Sequence, residues 1–276
     1  MSKIKIGVYM NPWAKLYAFF AQKEIRRLTN AETVIAYYHQ EKDLNQALLA
    51  GDVHIICTSL CTLPTALPKG MAITALSSRL NAAYSIIIHT ASVDTSKDLS
   101  IKYKAKMCVD TDINKAQLTE IRDDFYISVK EQVPIDTLND LYAHKFEACI
   151  IPSASKHLFD IDENKYKVVS ISPKEFVPEA GRGVAAFITA EDDKTTRRLL
   201  KPLHHPEVAA VTNIERQVKH LFKDENIGAY CIKDDNNNYH LWAVALVNGR
   251  VCRTRLSQST HFEMAERCKG LLLKEV

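Results

Sequence analysis

The chain of 276 residues is 46% hydrophobic and carries a formal net charge of +3, which suffices for a substantial core and for two or three compact domains. Its basic residues are interleaved with acidic ones, so pairs such as Arg26-Arg27 and Arg197-Arg198 indicate a solvated surface, not a nucleic-acid footprint. No apolar run approaches a membrane span, and Met1 leads directly into a strand pattern, so we expect a cytoplasmic protein.

The first ninety residues alternate strand and helix signals, which is typical of an α/β layer. Asn11-Pro12 is a good helix start, with Asn as the cap and Pro in the first turn. The apolar face of that helix comprises Trp13, Leu16, Phe20 and Leu28. The segment Ile86-Ile87-Ile88 is apolar on both faces, as in a buried strand. The other predicted elements are strand 3–10, helix 43–50 ending at Gly51, strand 53–57 and strand 85–89.

The pattern restarts near residue 92 and ends near Pro178. Here we predict strands 107–110, 126–130, 146–151 and 166–172, and helices 113–124 and 135–143. A strand over Gly181–Thr189 and a helix through Leu203 then follow. Two α/β units with a crossing between them predict a two-lobed architecture with a ligand cleft.

The last seventy residues indicate a small α+β domain, with three antiparallel strands and helices on one face. The predicted elements are helix 207–222 and strands 229–232, 241–246 and 251–256, joined by the polar turn 234–238 and the hairpin pair Asn248-Gly249. Thr260-His261-Phe262-Glu263 is interpreted as a capping box that opens a final helix. The predicted domains are 1–90 with 179–203, 91–178, and 204–276.

Cysteine and histidine usage indicates neither a disulfide framework nor a metal site. The seven cysteines form no CxxC pair, and Cys57 and Cys61 have no second pair to complete a zinc site. His204-His205 abuts a proline, as in a linker. We therefore expect packed, free thiols and no metal.

Six short motifs in one order carry a family resemblance. They are Lys42-Asp43-Leu44, the stretch 51–70 that ends Pro64-Thr65-Ala66-Leu67-Pro68-Lys69-Gly70, Phe146–Ile151, Val177–Gly183, Ile214-Glu215-Arg216 and Ile227–Tyr230. In this order they resemble hydroxymethylbilane synthase, also called porphobilinogen deaminase, along almost the whole chain. The resemblance implies two periplasmic-binding-protein-like α/β domains and a small C-terminal α+β domain.

The resemblance also implies a transferase of tetrapyrrole (porphyrin and haem) biosynthesis. Enzymes of this family carry a dipyrromethane on a cysteine and add porphobilinogen units with release of ammonia. A carboxylate stabilises the cationic intermediates, and several arginines bind the acetate and propionate groups. A thiolate anchors the cofactor.

This sequence departs from each of those requirements. The family's catalytic aspartate falls on Thr62 and the lysine before it on Cys61. The loop that bears the cofactor cysteine is shortened to Lys223-Asp224-Glu225 and contains no cysteine. The family's basic and hydroxyl-bearing cleft positions fall on Tyr9, Asn11, Ile113, Asn114 and Lys130, of which only Lys130 keeps a charge. We therefore expect neither a confident catalytic residue nor a bound cofactor.

The residues left in the inferred cleft form a less basic set than a polyanion requires: Tyr9, Asn11, Lys42, Ser59, Cys61, Thr62, Ile113, Asn114, Lys130 and Arg182. They suit a neutral or singly charged ligand, although loss of all binding is an open alternative. Cys231 lies within a predicted strand and is expected to pack in the core. Cys61 is interpreted as a packed thiol, and it becomes reactive only where a nearby cation or a helix N-terminus lowers its pKa.

Three functions follow from these observations. The first is a synthase-like pseudoenzyme of tetrapyrrole metabolism that binds a small ligand, such as a pyrrole or a tetrapyrrole. The second is an active, divergent deaminase that makes hydroxymethylbilane with a relocated cysteine. The third is a binding module for an unrelated small molecule. We favour the first, as a monomer with neither nucleic-acid nor membrane partners.

Overall fold

The computed structural model describes residues 3–10, 14–131, 134–223 and 226–275. Its strands are β1 (Ile4–Tyr9), β2 (Thr33–Tyr38), β3 (Ile55–Ser59), β4 (Met71–Leu76), β5 (Tyr84–His89), β6 (Lys106–Val109), β7 (Tyr126–Val129), β8 (Ala148–Pro152), β9 (Tyr166–Ile171), β10 (Ala185–Ala190), β11 (Ile227–Lys233), β12 (Tyr239–Val247) and β13 (Arg250–Gln258). Its α-helices are α1 (Ala14–Thr29), α2 (Glu41–Ala50), α3 (Asp112–Ile121), α4 (Pro134–Tyr142), α5 (Lys194–Leu200), α6 (Pro206–Leu221) and α7 (Met264–Leu272). Two 3-10 turns used below are Leu60–Thr62 and Lys201–Leu203.

The chain folds as two compact units, each built from two separate segments. Unit 1 comprises Met1–Leu80 and Gly181–Asn213, and unit 2 comprises Asn81–Ala180 and Ile214–Val276. Strand β5 belongs to the sheet of unit 2. The division into domains 1–90 with 179–203, 91–178 and 204–276 stays a prediction.

Unit 1 contains a five-stranded sheet in the order β2-β1-β3-β10-β4. Strand β1 pairs in parallel with β2 and β3, whereas β10 is antiparallel to both β3 and β4. Parallel neighbours require a crossover, which α1 and α2 supply. Both sheet faces are covered: Phe187 packs with α1 on one face, and Ile188 packs with α2 on the other.

Unit 2 repeats this pattern in the order β7-β6-β8-β5-β9. Strand β6 is parallel to β7 and β8, and β5 is antiparallel to β8 and β9. One face buries Tyr84 and Phe176, whose rings meet edge to face at 5.3 Å between centroids. Leu138 and Leu141 of α4 cover the other face. Each five-stranded sheet is therefore an α/β layer buried on both sides.

The C-terminal part of unit 2 is a three-stranded antiparallel sheet in the order β11-β12-β13. Val244 of this sheet packs with Ile113 of α3 and with Val177. Glu215 of α6 is buried and accepts a hydrogen bond from the Cys231 backbone N–H at 2.7 Å. At Asn248-Gly249 both φ angles are positive, as the predicted tight hairpin requires.

The structure confirms the predicted fold class: α/β units of the periplasmic-binding-protein-like type, followed by a three-stranded α+β part. Strands β2 and β4 were not predicted. The strand predicted over Gly181–Thr189 begins only at Ala185, because Gly181 and Gly183 have positive φ angles and form a turn. Within the described ranges, no helix is both long and apolar enough to cross a lipid bilayer.

The capping-box prediction for the last helix is wrong. The cap residue of α7 is Glu263, which has a φ of 52° and makes no side-chain capping bond. The Gln258 side-chain amide donates to the carbonyls of Thr260 and Phe262 at 2.6 and 3.0 Å. These bonds hold residues 260–262 in a turn before the helix, so Thr260 does not serve as its cap.

Candidate functional site

Two of the motifs that carry the resemblance meet in unit 1. The end of β3 pairs with the start of β10, with Ser59 opposite Ala185, and the Leu60 N–H donates to the Val184 carbonyl at 2.9 Å. Gly181 has a φ of 79°, and a Cβ built on it would lie 2.8 Å from Leu60 Cγ. The lack of a side chain at Gly181 therefore permits the turn 181–184 to lie against the loop that begins at Leu60.

A short chain of polar groups lies at the end of β3. The Tyr17 hydroxyl of α1 hydrogen-bonds the Ser59 side chain, and Ser59 Oγ lies 3.2 Å from Cys61 Sγ. Burial raises the pKa of Tyr17 far above its usual value, although the Ser59 hydrogen bond and the Arg182 charge act in the opposite direction. Tyr17 is therefore a neutral hydroxyl at physiological pH, able both to donate and to accept a hydrogen bond.

Thr62, which the resemblance places at the family's aspartate position, lies in the exposed end of the 3-10 turn Leu60–Thr62. Its hydroxyl donates to the Ser59 carbonyl at 3.0 Å. This bond closes the turn and directs the only polar group of Thr62 toward the backbone of its own loop. The loop thus presents no negative charge at this position.

Every cysteine of the chain lies in the described part; all seven are buried, and none forms a disulfide bond. Burial raises the pKa of Cys108 to about 11 and that of Cys268 to about 12, and it raises the pKa of Cys57 and Cys149 further. A buried thiol that keeps its proton is a poor nucleophile. The core positions expected for Cys231 and Cys61 are confirmed, at 0% and 8% exposure.

This burial predicts that the native thiols react slowly. With iodoacetamide at about pH 8, labelling of the folded chain should be at least about a hundredfold slower than in denaturant, because the thiolate fraction falls with each rise in pKa. All seven cysteines should react after unfolding, as read by intact mass. Rapid labelling of one thiol in the native chain, lost in Cys61→Ala, would instead identify a reactive thiol in the loop.

The remaining predicted residues of unit 1 lie at different exposures. Tyr9 is 38% exposed at the end of β1, and Lys42 is exposed on α2. Arg182 is half-buried in the turn between Gly181 and Gly183 and contributes to the electrostatic surroundings of Tyr17. Asn11, together with the helix start at Asn11-Pro12 and with Trp13, lies outside the described residues.

Three predicted cleft residues belong to unit 2, and the two polar ones bind groups of their own unit. Asn114 is 2% exposed and donates to the Tyr84 hydroxyl at 3.1 Å and to Asp110 Oδ1 at 2.6 Å. Lys130 Nζ lies 2.7 Å from Asp140 Oδ2. The Asn114 amide is thus part of the interior, where a ligand does not reach it. Ile113 is likewise a core residue.

Residues 223–225, which the resemblance identifies as a shortened cofactor loop, precede β11 in the sequence. Lys223 has a positive φ of 56° after the end of α6, and Asp224 and Glu225 lie outside the described residues. Among the described residues, no group of three His, Cys, Asp or Glu side chains is arranged to hold a metal ion.

Sequence reasoning missed Tyr17, the residue that links α1 to Ser59. Phe20, on the same helix, packs against Phe187 with 6.2 Å between ring centroids, so its predicted core role is confirmed. A tyrosine three residues before a core phenylalanine lies on a neighbouring part of the helix surface, and a buried tyrosine hydroxyl requires a partner. That combination is the signal that could have identified Tyr17.

The fold and the site together define an α/β protein with a polar loop at the carboxyl end of a sheet strand. Residues 29–198, more than half of the chain, match the family model described as "Porphobilinogen deaminase, dipyromethane cofactor binding domain". The chain belongs to the porphobilinogen deaminase family.

Curated relatives agree with this assignment. The porphobilinogen deaminase of Chlorobium luteolum is 27% identical over 206 residues, which cover 73% of this chain and 63% of the relative. A Campylobacter jejuni subsp. doylei porphobilinogen deaminase is 27% identical over 177 residues, or 64% of this chain and 56% of the relative. The matched region therefore spans less than two thirds of either relative.

Solved structures show more distant likenesses. YhfZ from Shigella flexneri is 11% identical, with a TM-score of 0.38, over 82% of this chain and 98% of that chain. The periplasmic VFT2 domain of Bordetella pertussis BvgS is 10% identical, with a TM-score of 0.45, over 77% and 92%. At these TM-scores neither likeness bears on function.

The residues of this chain do not fit the covalent cofactor of the family. Attachment of a dipyrromethane requires an accessible thiolate on a loop, and every cysteine here is buried. Cys231, the cysteine that follows the shortened loop in sequence, lies inside β11 with no exposed surface.

Proposed function

We propose that this chain is a porphobilinogen deaminase-family protein of tetrapyrrole metabolism that has lost transferase chemistry and binds a small pyrrole or tetrapyrrole ligand. The family supports the metabolic context. We also propose that the protein is monomeric and cytoplasmic and that it binds neither nucleic acid nor membranes. It is a proposal for the whole protein, since the matched relatives are longer.

The observation that carries the proposal is the chemistry of the loop after β3. Residues 58–70 contain no Asp or Glu, and the Thr62 hydroxyl is bound to the Ser59 carbonyl. A neutral hydroxyl does not stabilise a cationic pyrrole intermediate as a carboxylate does. Loss of one such stabilising group typically costs a factor of about a hundred to a thousand in rate. The burial of all seven thiols supports loss of the covalent mechanism itself.

Ligand binding is supported by the groups that remain in unit 1. Tyr17 and Ser59 form a pair of neutral hydroxyls, and the Arg182 guanidinium acts on Tyr17. An arginine beside two hydroxyls suits a ligand with one carboxylate and a neutral polar body. This set favours a single pyrrole with few acidic groups over a long, highly anionic chain.

The experiment is an intact-mass measurement on freshly purified protein, before and after incubation with porphobilinogen. We expect the mass of the bare chain, unchanged by substrate, because no accessible thiolate is present to start the chain. The Chlorobium luteolum porphobilinogen deaminase, treated in parallel, tests whether the assay detects a bound pyrrole chain. A mass excess of two linked pyrroles that grows in steps with substrate would show active deaminase chemistry and contradict the proposal.

Binding is measured on the same preparation by calorimetry with porphobilinogen. Arg182→Gln should weaken binding by about tenfold, the value of one charge-assisted contact. Arg26→Gln, an exposed arginine on α1, is the matched control and should leave binding unchanged. No heat from porphobilinogen, or equal loss in both variants, would contradict the binding part of the proposal.

A further inference from the structure

A concavity in unit 1 shares no lining residue with the loop after β3. It has a volume of about 340 Å³ and is lined by Thr74, Lys194, Arg197, Arg198, Lys201 and His204. We call these six residues the basic pocket. A concavity of this size is in the range of small-molecule sites.

Helix geometry explains why the basic side chains share one face. On α5, positions 194, 197 and 198 are spaced i, i+3 and i+4, and such positions lie on one side of a helix; Lys201 begins the 3-10 turn that follows. Thr196 and Leu200 lie on the opposite side of α5 and are buried. The face that carries the basic side chains is therefore the one exposed to solvent. Arg197 and Arg198 are therefore exposed, as the sequence predicted, yet they belong to a concave site and not to a dispersed solvated surface.

The charge of the basic pocket is concentrated and lacks acidic partners. Four of its six lining residues are lysine or arginine. In the parts of the chain that the structure describes, no carboxylate forms an ion pair with Lys194, Arg197, Arg198 or Lys201. Asp193, the nearest acid in sequence, caps α5 by accepting from the Thr196 N–H at 2.9 Å.

Two further contacts orient the site. Arg197 Nη1 donates to the Glu191 carbonyl at 2.8 Å, a neutral acceptor that holds the guanidinium without cancelling its charge. His204 Nδ1 accepts from the Leu76 N–H at 3.3 Å, so the neutral ring carries its proton on Nε2. His204 thus adds a hydrogen-bond donor to a pocket of cations.

The three like charges on α5 and that of Lys201 directly after it repel one another, and this repulsion weakens a helix of seven residues. A bound anion would remove the repulsion and gain charge-assisted hydrogen bonds, including the bidentate contacts of arginine. We propose that the basic pocket binds a small polyanion that carries two or more phosphate or carboxylate groups. This function is separate from the binding proposed for the loop after β3.

The test is isothermal titration calorimetry of the full chain with inorganic pyrophosphate, and with citrate to separate phosphate from carboxylate recognition. Titrations at about 20 mM and about 150 mM salt distinguish a site from diffuse attraction, since salt screens exposed charges. The variant Arg198→Gln/Lys201→Gln removes two pocket charges. The control Lys115→Gln/Lys274→Gln removes two exposed charges from unit 2.

We expect one pyrophosphate or citrate to bind per chain at both salt concentrations. The pocket variant should weaken binding at least about tenfold, and the control should leave it within about twofold. Thermal unfolding of both variants without ligand checks that each is folded. Binding that disappears at the higher salt concentration, or that both variants weaken equally, would overturn the proposal, as would the absence of binding by either anion.

Discussion

Replacement of Gly181 by alanine is expected to destabilise unit 1 by about 3 kcal/mol. A residue other than glycine pays about 1–2 kcal/mol for the left-handed backbone that Gly181 adopts, with its φ of 79°. The new Cβ would also lie 2.8 Å from Leu60 Cγ and 3.2 Å from Leu60 Cβ. Leu60 cannot rotate its own Cβ away, so overpacking adds about 1–3 kcal/mol.

Hydrogen exchange of peptides from β3 and β10, followed as a function of urea, measures this effect within unit 1. Gly51→Ala is the matched control, because Gly51 has a φ of 80° in the same unit and open space around its Cα. The control should lose about 1 kcal/mol, the backbone cost alone. Equal losses in the two variants would show that the contact between the turn at Gly181 and Leu60 contributes nothing.

Replacement of Arg122 by methionine is expected to destabilise unit 2 by about 3–5 kcal/mol. Arg122 and Asp124 form a bidentate pair, with Nε–Oδ1 and Nη2–Oδ2 distances of 2.8 and 2.7 Å and side-chain exposures of 8% and 10%. Arg122 Nη1 also donates to the Ile101 carbonyl at 2.6 Å. The substitution leaves a nearly buried carboxylate without its cation. Urea unfolding read by exchange of peptides 98–109 measures the loss.

The double variant Arg122→Met/Asp124→Leu tests the origin of that loss. Removal of both charges should cost less than removal of Arg122 alone, because no unpaired carboxylate remains. Arg27→Met, which breaks the exposed pair with Glu24, should have no measurable effect. A double variant as unstable as the single one would show that loss of the Arg122 packing on the Phe125 ring, and not an unpaired carboxylate, is responsible.

The same pair sets a dependence on pH. The hydrogen bond from Arg122 lowers the pKa of Asp124 below its usual value, so the pair contributes stability at neutral pH. That contribution is lost as the pH falls below about 4, where the unfolded aspartate already binds a proton. When the pH is lowered from neutral to below about 4, the free energy of unfolding of Arg122→Met should therefore decrease less than that of the unchanged protein.

The alternation of strands and helices was predictable because each buried strand carries a continuous apolar run, as Ile86–Ile88 does in β5. Strands β2 and β4 escaped prediction for a physical reason. Both lie at the edges of the sheet of unit 1, and every residue of β2 is partly or fully exposed although residues 34–38 are all apolar, so β2 lacks the alternation of a half-buried strand. The position of β10 between β3 and β4 depends on pairing across more than a hundred residues, and local pattern cannot show it.

The sequence predicts a property of the candidate site only where that property depends on the identity of one residue and not on its partners. That Thr62 lacks a charge is evident from the sequence, and the structure adds that its hydroxyl is bound by Ser59. Asn114 was assigned to a cleft, yet it is interior, because its amide satisfies the buried Tyr84 hydroxyl. Tyr17 was missed because its partner Ser59 is distant in sequence. Side-chain hydrogen bonds of this kind follow from the tertiary fold.

The placement of β10 has a consequence for how the chain is made. In unit 1, β10 separates β3 from β4, although it follows the whole continuous stretch that forms the five-stranded sheet of unit 2. While the ribosome synthesises residues 81–180, β3 and β4 each present an unpaired strand edge, the kind of surface that invites aggregation. The second sheet can meanwhile close from its own consecutive strands. Unit 2 should therefore acquire its sheet before unit 1, although residues 1–80 of unit 1 are synthesised earlier.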